Sequence, residues 1–406
     1  MAVADVPFGR YWAAATISSF GTAVTAVAMP VLVIQGLKAS AFSVGVVNAA
    51  QFVPYAVLGL IAGVYADRWR RQRILVWSSV GRAASLGALP VLWAFGALEV
   101  WTLVVLLLAF GAFSVFGFAA TQSLLPQLVP RDRLVEANAR LDQSDAAART
   151  VGPALGGGLV GLLGAPVAIA VDAVSYLADA VLNAGLRVDE KPADRTVQRH
   201  LRREIGEGLR WTYRHPTLTP LAVSTHVWFV ANAAGFTALA VVALREMGLS
   251  AFVFGLLVAA SGMASLVGAT ASPTVGRRLG TGPAIIATRT VHPIAWILVA
   301  AAPEIRAGVV LLGAALVLQG LAMGVENAND TGYWQVVTPD RLLGRANATR
   351  RSVNRSAGAL GAILGGMALT LFDERVTLIG VAAVFAASAA IVALSPMRSV
   401  RHLTPA

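Results

Sequence analysis

The sequence of 406 residues contains no cysteine and few charged residues. Without cysteine it can form no disulfide, thiol nucleophile, iron–sulfur cluster or cysteine-ligated zinc site. Only 13% of the residues are charged, whereas soluble domains carry about 25%. Hydrophobic residues make up 57%, and the mean hydropathy is +0.70. Low charge and high hydropathy together predict an all-α polytopic membrane protein.

The motifs of several other functional classes are also missing. No G-x-x-x-x-G-K-[ST] loop is present, so ATP is not expected to supply energy. Without a cluster of metal ligands or a nucleophile triad, we expect no metal, no cofactor and no enzymatic activity. A cleavable signal peptide is not expected, because the first apolar run is long enough to span a membrane.

Twelve apolar segments are long enough to cross a membrane. They cover residues 11–35, 43–66, 74–96, 100–124, 142–163, 166–186, 218–243, 252–274, 283–302, 306–333, 356–373 and 376–394. With the N-terminus inside, 28 of the 32 basic residues fall on the cytoplasmic side. This bias predicts a multi-pass protein of the bacterial inner membrane with both termini cytoplasmic. The net charge of +11 then reflects topology, and no nucleic-acid partner is expected.

The sequence contains one unit twice. Residues 127–163 match residues 335–371 at an offset of 208, which becomes 209 after a one-residue insertion. Ser40-Ala41-Phe42 and Ser250-Ala251-Phe252 repeat at an offset of 210. We therefore predict two parallel six-helix bundles, residues 1–186 and 218–406. The polar segment 187–217 would be a cytoplasmic linker, either an amphipathic helix on the inner membrane face or a connector that lets the bundles move.

The loop after the second predicted span resembles a family signature. In GLIAGVYADRWRRQR, residues Gly59, Gly63, Asp67, Arg68, Arg71 and Arg73 resemble the G-x-x-x-D-R-x-G-R-R motif of the major facilitator superfamily. Further stretches, VGPALGGGLVGLLGAPVAIAVDAVSYLADAVL, EIGEGLRWTYRHP and TPDRLLGRANATRR, are similar to its enterobactin-exporter and macrolide-efflux branch. The resemblance covers nearly the whole chain. It implies two six-helix repeats and proton-driven export across the inner membrane.

Two sets of residues follow from this resemblance and from the repeat. Gly152, Pro153, Gly156 and Gly157 resemble an antiporter motif, and ordinary tight helix packing is the alternative interpretation.

The two copies also differ in charge where the fifth and eleventh spans begin. We predict a cytoplasmic gate in which Asp67 pairs with arginines of the eleventh span, and Asp142 or Asp145 pairs with arginines after the eighth; solvated loop charge is the alternative. The gate residues are Asp67, Arg68, Arg71, Asp142, Asp145, Arg277, Arg278, Arg350, Arg351 and Arg355.

Acidic residues inside spans are the default candidates for proton coupling. The superfamily fold lines its cavity with spans 1, 4, 7 and 10, so Glu326, Asp330 and His226 are expected to face substrate. Asp172, Tyr176, Asp179 and Asn183 share a face of the sixth span, which is peripheral in that fold, so we expect them to bond within their own half. Helical faces further suggest an amphipathic cavity lined by Ser18, Thr22, Thr25, Met29, Asn48, Gln51, Phe52, Tyr55, Phe113, Phe116 and Phe118.

These observations predict a monomeric secondary transporter that works by alternating access in contact with membrane lipids. Its substrate would be a small amphipathic organic molecule, drug-like or siderophore-like, and its coupling ion a proton. Uptake or facilitated transport of a metabolite is one alternative. A membrane sensor or scaffold that transports nothing is another.

Overall fold

The computed structural model describes residues 6–186, 188, 201–302 and 306–401. Within these ranges the chain forms fourteen α-helices and no strand. The helices of the first half are α1 (Val6–Val31), α2 (Ala41–Ala50), α3 (Val53–Arg68), α4 (Arg71–Ala94), α5 (Val100–Leu128), α6 (Leu134–Leu163) and α7 (Ala165–Ala184). The others are α8 (Leu201–Arg214), α9 (Leu218–Val241), α10 (Ala251–Leu279), α11 (Thr281–Ala300), α12 (Arg306–Val337), α13 (Asp340–Leu371) and α14 (Glu374–Ala393).

Eleven of the described segments are long and apolar enough to cross a membrane, and α2 joins α3 as one of them. The helix α13 is not among the eleven, although its C-terminal part contains the predicted eleventh span. The predicted starts of two spans are wrong, because α6 begins at Leu134 and α13 at Asp340, well before the apolar residues. Hydropathy detects only the apolar part of a helix, and both helices continue into a polar stretch.

The repeat is visible in backbone irregularities as well as in sequence. A π-helical turn, Leu32–Gly36, follows α1, and another, Val242–Glu246, follows α9 at an offset of 210. Each is followed by a residue with positive φ, which is Lys38 (49°) in the first half and Gly248 (60°) in the second. Glycine adopts this conformation without steric cost, whereas lysine does so with strain. The first half therefore stores strain at a position where the second does not.

The second predicted span is two helices rather than one. The helix α2 ends at Ala50, and α3 starts at Val53 after a turn at Gln51 and Phe52. Pro54 lacks a backbone N–H and disfavours the helical conformation of the residue before it. Proline thus accounts for the break.

The chain divides into two compact units. Unit 1 contains residues 1–39, 50–199 and 250–256, and unit 2 contains residues 40–49, 200–249 and 257–406. Each unit thus consists mainly of one half of the sequence, together with one short segment from the other half. In unit 1, α7 packs on α4 and α1. The helix α4 also packs on α5, and α1 also packs on α6. In unit 2, α9 packs on α13 and α14, and α11 packs on α12 and α14.

The helix α8, in the predicted linker, packs on α13 and α9 of unit 2. Glu207 forms an ion pair with Arg345, and Trp211 Nε1 donates to Thr338 Oγ1 at 3.4 Å. A Cβ built on Gly208 would lie 3.0 Å from the carbonyl oxygen of Arg345, so α8 approaches α13 closely. The described part of the predicted linker is thus a helix docked on unit 2, while residues 189–200 lie outside the described residues.

Candidate functional site

A buried arginine at the centre of unit 2 organises its polar side chains. Arg289 of α11 is 1% exposed, and its Nη2 lies 2.8 Å from Glu326 Oε1 on α12. The same guanidinium donates to the Ser224 carbonyl at 3.0 Å, to Thr225 Oγ1 at 2.9 Å and to Ser388 Oγ at 2.8 Å. A buried charge requires this kind of partner and donor set to offset its desolvation.

His292 extends this network by one turn of α11. Its Nε2 lies 3.1 Å from Glu326 Oε2. Because a carboxylate only accepts, Nε2 carries a proton, and in the neutral imidazole Nδ1 is the acceptor. That Nδ1 is buried and has no hydrogen-bond partner in the structure. The ring stacks on Phe385 with centroids 5.3 Å apart. Arg289, Glu326 and His292 together, hereafter the α11–α12 network, contain one cation, one carboxylate and one open proton acceptor.

Unit 1 also contains an arginine inside a span, Arg82 of α4, whose side chain is 16% exposed. The Arg82 guanidinium lies 4.3 Å above the ring of Tyr176, and its Nη2 is 3.9 Å from Asp179 Oδ2. It donates to Ser79 Oγ at 2.9 Å, and Ser79 in turn donates to Asp179. Tyr176 and Asp179 both belong to α7 and are almost fully buried.

Two turns before Asp179, α7 carries a second acid, Asp172, with no exposed surface. It accepts from Thr25 Oγ1 of α1 at 2.6 Å and from Ser175 Oγ at 3.0 Å. The polar face of the sixth predicted span therefore bonds inside its own half, as the sequence led us to expect.

The three predicted coupling residues all lie in unit 2, where each has partners. Glu326 was expected to face substrate; the residue is 5% exposed, and its carboxylate contacts Arg289 and His292 of α11. Asp330 Oδ2 accepts from Arg350 Nη2 at 2.7 Å. His226 Nδ1 donates to Asn354 Oδ1 at 2.6 Å, so its Nε2 accepts from the Tyr213 hydroxyl at 2.8 Å. The hydrogen-bonded chain from α8 through His226 to α13 was not anticipated.

Ionisable groups at the junction of α8 and α9 are also perturbed. Burial raises the pKa of Tyr213 and lowers the pKa of His215. His215 Nδ1 accepts from the backbone N–H groups of Thr217 and Leu218, both at 3.3 Å. The neutral imidazole therefore satisfies free amides where α9 begins.

The predicted gate residues are only partly described. Asp67 and Arg68 lie in α3, but their side chains fall outside the described residues, and Arg71 opens α4. Asp142 is exposed on α6, Asp145 bonds Arg149 at 2.7 Å, and Arg277 donates to Thr274. Arg278 is exposed at the end of α10, while Arg351 and Arg355 are half-buried on α13. Arg350 pairs with Asp330 and stacks on Trp334 at 4.0 Å. The predicted pairing across the gate stays a prediction.

The antiporter-like residues form a close backbone contact inside unit 1. A Cβ on Gly152 would lie 2.4 Å from Ala23 Cβ, and one on Gly156 would lie 2.9 Å from Val24 Cα, both on α1. On Gly157 it would lie 2.5 Å from the carbonyl of Ala251. Pro153 is buried in the same turn. The interpretation as tight helix packing is thus sufficient to explain these residues structurally.

Some of the predicted cavity residues are hydrogen-bonded or packed within their unit, and others are half-buried. Thr25 is bonded to Asp172, Thr22 shares a 2.7 Å hydrogen bond with Tyr176, and Met29 is 5% exposed. Asn48 donates to Thr237 at 3.1 Å within unit 2. Ser18 Oγ donates to the Ala15 carbonyl, the ring of Phe113 packs on Gly81, and Phe116 lies against the core. Gln51, Phe52, Tyr55 and Phe118 are half-buried.

A groove of about 360 Å³ lies on a neighbouring face of α1, against α6. Trp12 Nε1 donates to Ser144 Oγ at 2.9 Å beneath it. Aromatic rings, small polar groups and one guanidinium line it together: Trp12, Thr16, Phe20, Arg140, Gln143, Ser144 and Ala147. The groove was not predicted from the sequence, because the residues of α1 expected to line a cavity lie on a different face.

Arg82, Arg289 and His292 were not predicted as site residues. Arg82 and Arg289 were counted only as cytoplasmic charges, although each stands inside an apolar helix. A basic residue within a span was the signal that could have identified both sites.

The sequence is similar to those of known transporters. The chain is 27% identical over 367 residues to the uncharacterized MFS-type transporter YfiS of Bacillus subtilis (strain 168), covering 87% of this chain and 85% of the relative. It is 27% identical over 364 residues to the multidrug efflux pump Tap of Mycolicibacterium fortuitum, with 87% of each chain covered.

Solved structures show the same fold. The nucleoside transporter NupG superposes with a TM-score of 0.76 at 12% identity, over 95% of this chain and 98% of that one. A bacterial homologue of the iron transporter ferroportin in the inward-facing state gives 0.72 at 16%, over 97% and 98%. A family profile described as "Transmembrane secretion effector" matches residues 3–405. The chain belongs to this family of major facilitator transporters, which are not enzymes.

Proposed function

We propose that this transporter exports a small amphipathic organic molecule, drug-like or siderophore-like, across the bacterial inner membrane in exchange for protons. The main support is the α11–α12 network. It places a carboxylate and an imidazole nitrogen without a hydrogen-bond partner in the structure beside an arginine, all within the spans. Ionisable groups at membrane depth are costly and are typically retained for function.

The network can bind a proton without losing its scaffold. Protonation of Glu326 would remove the negative charge opposite Arg289 and loosen α12 from α11. Arg289 would keep its donors to Ser224, Thr225 and Ser388 and so remain in place. One proton entering down ~100 mV supplies ~2.3 kcal/mol. At ~1.4 kcal/mol per factor of ten, that sustains a concentration ratio of about 50.

The groove on α1 supports the substrate class. It is a groove of about 360 Å³ that is largely open to its surroundings. Trp12 and Phe20 offer flat apolar surface, and Arg140 offers a cation at the edge. The relative named as a multidrug efflux pump is consistent with a substrate of this kind.

The test is drug accumulation in a bacterial host whose own pumps are deleted. The wild-type chain should lower accumulation of an amphipathic dye, and a protonophore should abolish the effect. Glu326→Gln should lose active extrusion but retain exchange of labelled for unlabelled dye, since exchange requires no net proton movement. The matched control Glu374→Gln, at an exposed acid that begins α14, should behave as wild type. Increased accumulation, or extrusion that is insensitive to the protonophore, would contradict the proposal.

A further inference from the structure

Each unit holds an arginine inside a span, but the two arginines are neutralised differently. Arg82 and Arg289 lie on α4 and α11 and are 207 residues apart, slightly less than the repeat offsets of 208 to 210. Each contacts the last helix of its own half at equivalent positions, Asp179 and Ser388, which are 209 residues apart. The two arginines therefore reach the same position of that helix from neighbouring, not identical, positions of the repeat.

The acid, however, occupies a different helix in each unit. Glu326 of unit 2 corresponds, at an offset of 209, to Gly117 of α5. A Cβ on Gly117 would lie 3.4 Å from Arg82 Nη2, so this position faces the arginine in unit 1 as well. In unit 1 the partner is Asp179, and unit 2 has Ser388 there. Each arginine thus has one direct acid partner.

Unit 1 contains one acid more than this pairing requires. Asp172 corresponds at the same offset to Val381, which is a buried apolar residue in unit 2. Asp172 has no exposed surface and forms no ion pair among the described residues. Among the described residues, its oxygens accept side-chain hydrogen bonds from two hydroxyl groups, those of Thr25 and Ser175. With both aspartates ionised, the site would bury a net negative charge within membrane spans.

Within the part of the chain that the structure describes, the surroundings of Asp172 offer no second cation. From α4, Arg82 is the basic group that faces it, and on α7 itself the titratable neighbours are Tyr176 and Asp179. On α1, Thr25 and Gly21 contact it, and Tyr11 lies in the field of Asp179. A buried carboxylate without a cation takes up a proton, because desolvation penalises its charged form.

We infer that Asp172 is a proton-binding site of unit 1, separate from the α11–α12 network, and that it holds a proton while Arg82 is paired with Asp179. The hydroxyls of Thr25 and Ser175 can donate or accept, so they satisfy the carboxyl group in either state. As a second coupling site this inference rests on the proposed function, whereas proton occupancy at Asp172 does not.

The charge balance yields a test by infrared spectroscopy on the purified full-length protein at neutral pH. Aspartate labelled with carbon-13 at its side-chain carboxyl identifies protonated aspartates by their shifted carbonyl band. The site contains two aspartates, Asp172 and Asp179, and the positive charge of Arg82 keeps one of them ionised. The other is protonated, so wild type should show one such band. Asp172→Asn should show none. Asp179→Asn should also show none, because Asp172 then ionises as the counter-ion of Arg82.

Two further variants complete the test. Arg82→Gln should show two bands, and Glu326→Gln should leave the wild-type band unchanged. A labelled band that survives in Asp172→Asn would overturn the assignment, and one that survives in Asp179→Asn would overturn the charge balance. If dye export proves independent of protons, the proposed function fails, but the infrared result still decides whether Asp172 is protonated.

Discussion

The buried ion pair of Arg289 and Glu326 permits a quantitative prediction about stability. Their side chains are 1% and 7% exposed, and the two charges are 2.8 Å apart. Removing one partner of such a pair leaves an uncompensated buried charge, at a cost of ~3–5 kcal/mol. Removing both costs far less, because neither charge is then left alone. Arg289→Gln and Glu326→Gln should therefore each destabilise unit 2, and the double variant should recover most of the loss.

The measurement is a double-mutant cycle by thermal unfolding in detergent. A change of 1 kcal/mol shifts Tm by ~2–4 °C in a domain of roughly this size, so each single variant should lose on the order of 10 °C. The matched control is Arg149 with Asp145, which are 2.7 Å apart but 74% and 47% exposed. The same cycle there should give a coupling of ~0.3–0.5 kcal/mol. A double variant no more stable than the worse single variant would refute the reasoning, as would equal couplings at the two sites.

Four other predictions follow from the described contacts. Asp179→Asn should lower Tm less than Glu326→Gln, because Asp172 can replace the lost charge; equal losses would contradict this. Gly21→Ala should destabilise by ~1–3 kcal/mol, since its Cβ would lie 2.5 Å from Asp172 Oδ1, whereas Gly161→Ala, with open space, should have little effect on Tm. Lys38→Gly should raise stability by about 0.5–1 kcal/mol in the same assay by relieving a positive φ of 49°. Burial lowers the pKa of His215. The stabilisation that its neutral ring gives to the fold is therefore present above the ordinary pKa of 6.5 and is lost as the pH falls. Tm measured at decreasing pH should drop more for wild type than for His215→Gln.

The fold could be predicted from the sequence because its signals are repetitive and long. Apolar runs located most spans, and the repeat between residues 127–163 and 335–371 predicted the two halves. Hydropathy failed where helices leave the apolar region, as at the polar starts of α6 and α13. It also failed to detect the break between α2 and α3, which a single proline explains.

The candidate site was predicted less completely, for a different reason. A helical wheel gives the face on which Glu326 lies but not the neighbour that this face meets. The partner, Arg289, comes from another helix, and only packing brings the two charges together. Thr25 similarly lay on a predicted cavity face but bonds Asp172. Acids were recognised because they are rare in spans, whereas Arg82 and Arg289 were absorbed into the count of cytoplasmic charges.

The short exchanged segments have an evolutionary consequence. In unit 2, a Cβ on Gly45 would lie 2.4 Å from the carbonyl of Ala362, and in unit 1 one on Gly255 would lie 2.3 Å from that of Pro153. Gly45 and Gly255 are repeat partners, 210 residues apart, and so are Pro153 and Ala362 at 209. The same contact is therefore made twice, each time between a segment of one gene half and the body of the other. In an ancestor encoding a single copy, it would have joined two identical chains. Either half synthesised alone would therefore lack a strip of its own packing.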